Sequence, residues 1–260
     1  MTTPVITTID FGGPRDAPLL LLGPSLGTSV TALWSTAAHL LTARHRVVGF
    51  DLPGHGRSPA PTAAFTIADV AYAVHEAAVT YGSDRYHYAG VSAGGAVGLE
   101  LLLRHGDSIS SATLICTAAK IRTTAAWLER AQLVRSKGTA VMLASATSTW
   151  FADGFTDRDP DTAAALLTSL HDTTSEGYAA ICEALAQFDV RQSLEAITND
   201  VTAISGSHDI ATPPSSLRYL AEHIPRCRYL ELADAAHLAP AEQPALIADE
   251  LLAITQRSPL

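Results

Sequence analysis

The segment Tyr86-His-Tyr-Ala-Gly90-Val91-Ser92-Ala93-Gly94-Gly95-Ala96 runs from an apolar strand pattern through Gly-x-Ser-x-Gly into a helical pattern. A serine on so sharp a strand-to-helix turn projects its hydroxyl outward, and only small neighbours such as Gly90 and Gly94 leave room for the turn. Ser92 is therefore the candidate nucleophile. The helix beginning at Ala93 adds its N-terminal dipole, and the Ala93 N–H can donate to a developing oxyanion. Glycine and serine are abundant, so the pattern takes its weight from its place between strand and helix.

A serine hydroxyl needs a base, and the base needs an orienting carboxylate, both at the carboxyl ends of later strands. After the strand pattern at 201–205 comes Ser205-Gly206-Ser207-His208-Asp209, and after that at 228–232 comes Ala233-Asp234-Ala235-Ala236-His237. Asp209 is expected to orient His237. Asp234, three residues from the histidine in the same loop, is poorly separated for that task, and Thr-Ala-Ala-Lys after Cys116 offers no acid. His39, His75, His105 and His223 lie on expected helices as solvent-facing or partly packed residues, and His208 reads as structural. The second oxyanion donor is expected from Gly23-Pro24-Ser25-Leu26-Gly27-Thr28, through the Leu26 N–H. The turn-rich loop Asp51-Leu-Pro-Gly-His55-Gly-Arg-Ser58 follows another strand, and His55 there reads as structural.

Seven short β-type runs, 5–9, 19–22, 46–50, 86–91, 112–116, 201–205 and 228–232, alternate with helical patterns at 31–42, 67–81, 93–105, 214–223 and 242–256. That alternation predicts a mostly parallel α/β sheet with helices on both faces. Thr66 with Asp69 is a capping pair, and Pro213-Pro214 suits a helix start. Between Cys116 and Val201 the pattern is helical, roughly 124–137, 139–149, 160–171 and 175–188. An insertion of this kind forms a helical cap over the sheet's carboxyl edge, where such sheets bind ligands. The expected organisation is a core of residues 1–118 and 199–260 with a cap of residues 119–198.

With 260 residues, 47% apolar, the chain can build a core, and its net charge of −9 without a Lys/Arg cluster argues against nucleic-acid binding. No stretch approaches 18 consecutive apolar residues and no basic, apolar leader opens the chain, so neither membrane insertion nor export is expected. Cys116, Cys182 and Cys227 have no metal-ligand spacing and fit thiols of a reducing cytoplasm. No metal or organic cofactor is expected.

The order Ser92, Asp209, His237 and the motifs above resemble the α/β-hydrolase superfamily over essentially the whole chain. Within it the sequence is similar to the 3-oxoadipate enol-lactonases. That likeness rests on Pro24-Ser25-Leu26-Gly27-Thr28 followed by Trp34, the Asp-x-x-Gly-His-Gly-x-Ser loop, Trp127-Leu-Glu-Arg130 with Gly138, Thr149-Trp150-Phe151, and Phe188-Asp189-Val190-Arg191. The family usually has one more strand before the first one here, so the sheet is expected to be one strand short. The resemblance implies opening of a carboxylate-bearing enol-lactone by an acyl-enzyme route without cofactor. It also implies Arg130 as the carboxylate anchor, with Trp127, Trp150 and Ser25 around the substrate. Alternatives are a carbon–carbon bond hydrolase, a general esterase, a cofactor-free perhydrolase, or, in another class, a hydrolase-derived receptor for a small lactone; a carboxylate would stand at Ser92 in a haloalkane dehalogenase.

Overall fold

The computed structural model describes residues 3–257. Its strands are β1 (Thr7–Gly12), β2 (Leu19–Gly23), β3 (Arg46–Asp51), β4 (Tyr86–Val91), β5 (Ile109–Ile115), β6 (Asp200–Gly206) and β7 (Cys227–Leu232). They form one sheet in the order β1-β3-β2-β4-β5-β6-β7, parallel except for β1, which runs antiparallel to β3 at the edge. Every residue of β2, β4 and β5 is buried, as strands covered on both faces must be.

The covering helices are α1 (Val30–Leu41), α2 (Ile67–Thr80), α3 (Ala93–His105), α9 (Pro214–His223) and α11 (Pro244–Arg257), with the one-turn α10 (Ala239–Glu242) before the last. Thr66 and Asp69 form a reciprocal capping box on α2, satisfying two donors that the first turn leaves without partners. Between β5 and β6 lie α4 (Thr124–Lys137), α5 (Leu143–Trp150), α6 (Phe155–Arg158), α7 (Pro160–Asp172) and α8 (Ser175–Gln187). The two ends of this insertion are zipped together: Val190 N–H donates to Ala119 O at 2.9 Å, and Lys120 pairs with Asp189 at 3.1 Å. Its last helix docks on the loop after β3, where Thr174 N–H and Oγ1 both donate to Gly54 O.

Several elements depart from the sequence reading. The first strand starts at Thr7, and Val5 is exposed, because pairing with β3 from Thr7–Asp51 to Gly12–Val47 sets its length. The fifth strand begins three residues earlier than its apolar run, since Ser110 and Ser111 are buried strand positions and the Ser111 hydroxyl meets His87 Nδ1 at 2.8 Å. The stretch read as one helix from 139 divides into a 3₁₀ turn and α5, and α6 is too short to show a period.

After β2 the chain crosses to β3 on one side and then to β4 on the other, so β2 and β4 flank the topological switch point. Crevices open at such points beyond the strands' carboxyl ends. The loops carrying Leu26 and Ser92 leave β2 and β4 there.

Candidate active site

Ser92 sits between β4 and α3 with φ 54° and ψ −110°, a sparsely populated region for a residue with a side chain. Such a conformation costs of order 1–3 kcal/mol and persists only when its surroundings fix it. They do so here through Ser92 N–H to Ile115 O at 2.9 Å and through Thr117 Oγ1–H to Ser92 O at 2.8 Å. A Cβ on Gly90 would lie 2.4 Å from Gly94 O, and one on Gly94 would lie 2.7 Å from Pro24 O. Both glycines are therefore required by close backbone approach, as the motif anticipates.

Asp209 follows β6 and His237 follows β7. His237 Nδ1 and Asp209 Oδ2 lie 2.9 Å apart, with both side chains almost wholly buried. The other contacts of Asp209 come from Thr212 Oγ1 at 2.7 Å and from the Ala211 and Thr212 N–H groups at 2.8 and 3.0 Å. Burial pushes the Asp209 carboxyl up, but the His237 charge and these hydrogen bonds outweigh it, leaving the pKa below its ordinary value. Thr212 was not singled out from sequence; an Asp-x-x-Thr spacing is a common turn signal and only the fold gives it a partner.

Ser92 and His237 line the same cavity, and the Ser92 hydroxyl makes no hydrogen bond among the described residues. Such contacts are commonly loose before substrate arrives. The Ala93 N–H is one of the helix-start donors that have no acceptor within their own helix. The Leu26 N–H has no acceptor among the described residues. Their loops are joined directly, Gly94 N–H donating to Pro24 O at 2.9 Å, and the Leu26 turn is closed by Thr28 against Ser25. Two free N–H groups on touching loops beside a serine are suited to hold an oxyanion.

The cavity holds about 310 Å³, at the small end of the range of about 300–1,000 Å³ for small-molecule sites. Trp127, Trp150, Ser25 and Arg130 all line it. Arg122 lines it as well, a residue the sequence reading missed. The two guanidiniums flank the Trp127 indole at 6.0 and 5.4 Å, and neither has an ion-pair partner among the described residues. Burial, then the like charge of Arg130, lowers the Arg122 pKa. Arg122 also has φ 56°, a left-handed backbone that nothing in its sequence announces.

Asp234 is exposed, its N–H taken by Ser207 Oγ, and His208 is exposed beside Asp209. His55 is buried, stacks on Tyr178 at 6.4 Å and does not line the cavity. Cys116 Sγ lies with ligand atoms of Asp209 and His237 within 4.8 Å, donates to Ala236 O at 3.4 Å, and its thiol pKa is pushed well up by burial. Among the described residues no helix is long and apolar enough to cross a membrane.

Residues 18–244 match the profile of the alpha/beta hydrolase fold. The chain is 33% identical to 3-oxoadipate enol-lactonase 1 of Acinetobacter baylyi over 237 residues, 91% of this chain and 88% of that protein. It is 32% identical to 3-oxoadipate enol-lactonase 2 of the same organism, over 94% and 91% of the two chains. The crystal structure of the enol-lactonase from Burkholderia xenovorans LB400 superposes with a TM-score of 0.92 at 32% identity, covering 96% of each chain. A thermophilic esterase from Thermogutta terrifontis shares the fold, with a TM-score of 0.90 at 21% identity. The sheet order, the serine turn and these relatives together show that the chain belongs to the alpha/beta hydrolase fold family.

Proposed function

We propose that this hydrolase opens a small enol-lactone carrying a free carboxylate, of the 3-oxoadipate enol-lactone kind, through an acyl-enzyme on Ser92. Residues 1–118 and 199–260 are the catalytic core in this reading, and 119–198 are the cap that selects the substrate. His237 accepts the Ser92 proton through Nε2 as Oγ attacks the lactone carbonyl, while Asp209 stabilises the imidazolium through Nδ1. The Leu26 and Ala93 N–H groups hold the oxyanion. Collapse breaks the ring C–O bond and expels an enolate, which takes a proton and becomes the ketone. Water activated by His237 then cleaves the acyl-enzyme, giving the free acid and returning Ser92.

The observation that carries the substrate class is a cavity with two guanidiniums and no acidic side chain in its lining, within a chain of net charge −9. An uncompensated cationic pair in a partly desolvated cavity is best satisfied by an anion, and Arg130 can grip a carboxylate with two bonds. The two Acinetobacter baylyi relatives and the Burkholderia xenovorans protein are lactonases by name, which agrees with this reading.

The test is turnover of a carboxylate-bearing enol-lactone against a neutral ester of similar size, by wild type and by Ser92→Ala. Wild type should favour the carboxylate substrate, and the variant should be inactive on both. Most activity surviving in Ser92→Ala would remove the nucleophile, and equal preference for the neutral ester would remove the substrate class.

A further inference from the structure

The acyl-transfer scheme leaves Glu242 without a task. It ends α10, the single turn that follows His237, and its side chain is buried. Oε2 accepts the Ala236 N–H and Oε1 accepts the Ala152 N–H, each at 2.6 Å. Alongside, Leu238 N–H donates to the Trp150 carbonyl at 3.2 Å. Residues 236–238, which carry the imidazole, are thus fastened at both ends to residues 150–152, and Trp150 walls the cavity.

Holding a charge there is costly. A buried carboxylate gives up most of its hydration, and no cation forms an ion pair with Glu242 among the described residues. Burial pushes its pKa up, Asp209 adds to that, and the two N–H groups and Arg158 oppose it. What a carboxylate offers in return is two acceptor oxygens set apart, each able to take a short charge-assisted bond. A side-chain amide would present a donor to one of those N–H groups. Among the described residues it bridges the peptide N–H groups of Ala152 and Ala236, from two segments distant in the chain, one beside the expected base and one beside the substrate wall.

We propose that Glu242 is a positioning residue whose carboxylate latches the His237 loop to the Trp150–Ala152 wall, so that proton acceptor and substrate wall keep one fixed relation to Ser92. This rests on the Ser92, Asp209 and His237 reading above. Substrate pressing on Trp150 then meets a wall tied to the imidazole, and loosening the tie misplaces the base without emptying the cavity.

The experiment compares Glu242→Gln and Glu242→Asp with wild type and with His237→Ala. Glutamine keeps the shape but turns one acceptor into a donor, and aspartate keeps the charge but is too short to span both N–H groups. Small misplacements of a reacting group cost on the order of 10²-fold in rate, so kcat should fall roughly 10- to 100-fold in either variant with KM little changed. The low-field proton resonance shared by His237 Nδ1 and Asp209 should shift or vanish, while thermal unfolding stays cooperative. Either variant serves if the other does not fold. Wild-type kcat in a folded variant, or a lower kcat with that resonance unmoved, overturns the latch. Activity surviving in His237→Ala would instead overturn the reading beneath it, whereas an inactive His237→Ala beside fully active Glu242 variants sinks the latch alone.

Discussion

At the scale of single residues, Arg122 separates what sequence pattern carries from what only three dimensions show. Arg130 sits on α4 in a segment whose motif is similar to the enol-lactonases, so the sequence could nominate it, and it lines the cavity. Arg122 lies in the connector before α4, where its left-handed φ turns the guanidinium into the cavity against Trp127. Thr212 and Glu242 were equally silent, because their meaning comes from partners that only the fold assembles, Asp209 and His237 around Thr212 and the Ala152 and Ala236 N–H groups around Glu242. Hydrogen bonds to a charged group are worth about 1.5–3 kcal/mol, close to one to two decades in rate. Arg122→Gln and Arg130→Gln should each lower kcat/KM on a carboxylate-bearing lactone about 10- to 100-fold and affect a neutral ester far less. Steady-state kinetics on both substrates checks this, and equal losses on both would deny the guanidiniums a role in carboxylate recognition.

At the scale of elements, the junction of β2, β4 and α3 is where local pattern and tertiary need agree. Gly-x-Ser-x-Gly could be placed from sequence because strand and helix periods meet at it. The ends of β1 and β5 could not, since partner strands and buried serines decide them. The close approach of Gly94 to Gly23 and Pro24 holds the α3 start against the Leu26 loop. A methyl group at Gly94 would sit 2.7 Å from backbone atoms of both residues, and backbone cannot give way as a flexible side chain can. Overpacking of this kind costs typically about 1–3 kcal/mol. It also parts the two N–H groups proposed to hold the oxyanion, where loss of one donor costs about 10²- to 10³-fold in kcat. Gly94→Ala should therefore combine a lowered Tm with a kcat loss on the order of 10²-fold. Wild-type kcat in that variant would show that the contact does not set the site's geometry.

At the scale of the whole molecule, the fold buries histidines that the proposed chemistry does not use, His55 in the loop after β3 and His87 in β4, and their protonation opposes folding in acid. His55 and His87 are both pushed down to about 4, chiefly by burial; for His87 the neighbouring His45 and Arg85 add to it. His87 contacts the Ser111 hydroxyl, and its ring meets His45 edge to face at 6.0 Å. A histidine freed by unfolding titrates near 6.5, so the unfolded chain binds protons that the folded chain refuses. Their contribution is full above pH 6.5 and is lost as pH falls from 6.5 through 4. Asp209, lowered from 3.8, loses its contribution only at more acid pH. Glu242, raised from 4.5, works the other way, since acidification relieves the cost of its charge. Two fully refused protons give a slope of up to about 2.7 kcal/mol per pH unit inside that window. Urea midpoints measured from pH 7.5 to 4.5 should stay level near neutrality and then fall steeply, and His87→Asn should make that fall shallower without abolishing it, since His45 and His105, also lowered chiefly by burial, remain. A wild-type midpoint that stays level down to pH 4.5 would mean these histidines are not held neutral by the fold.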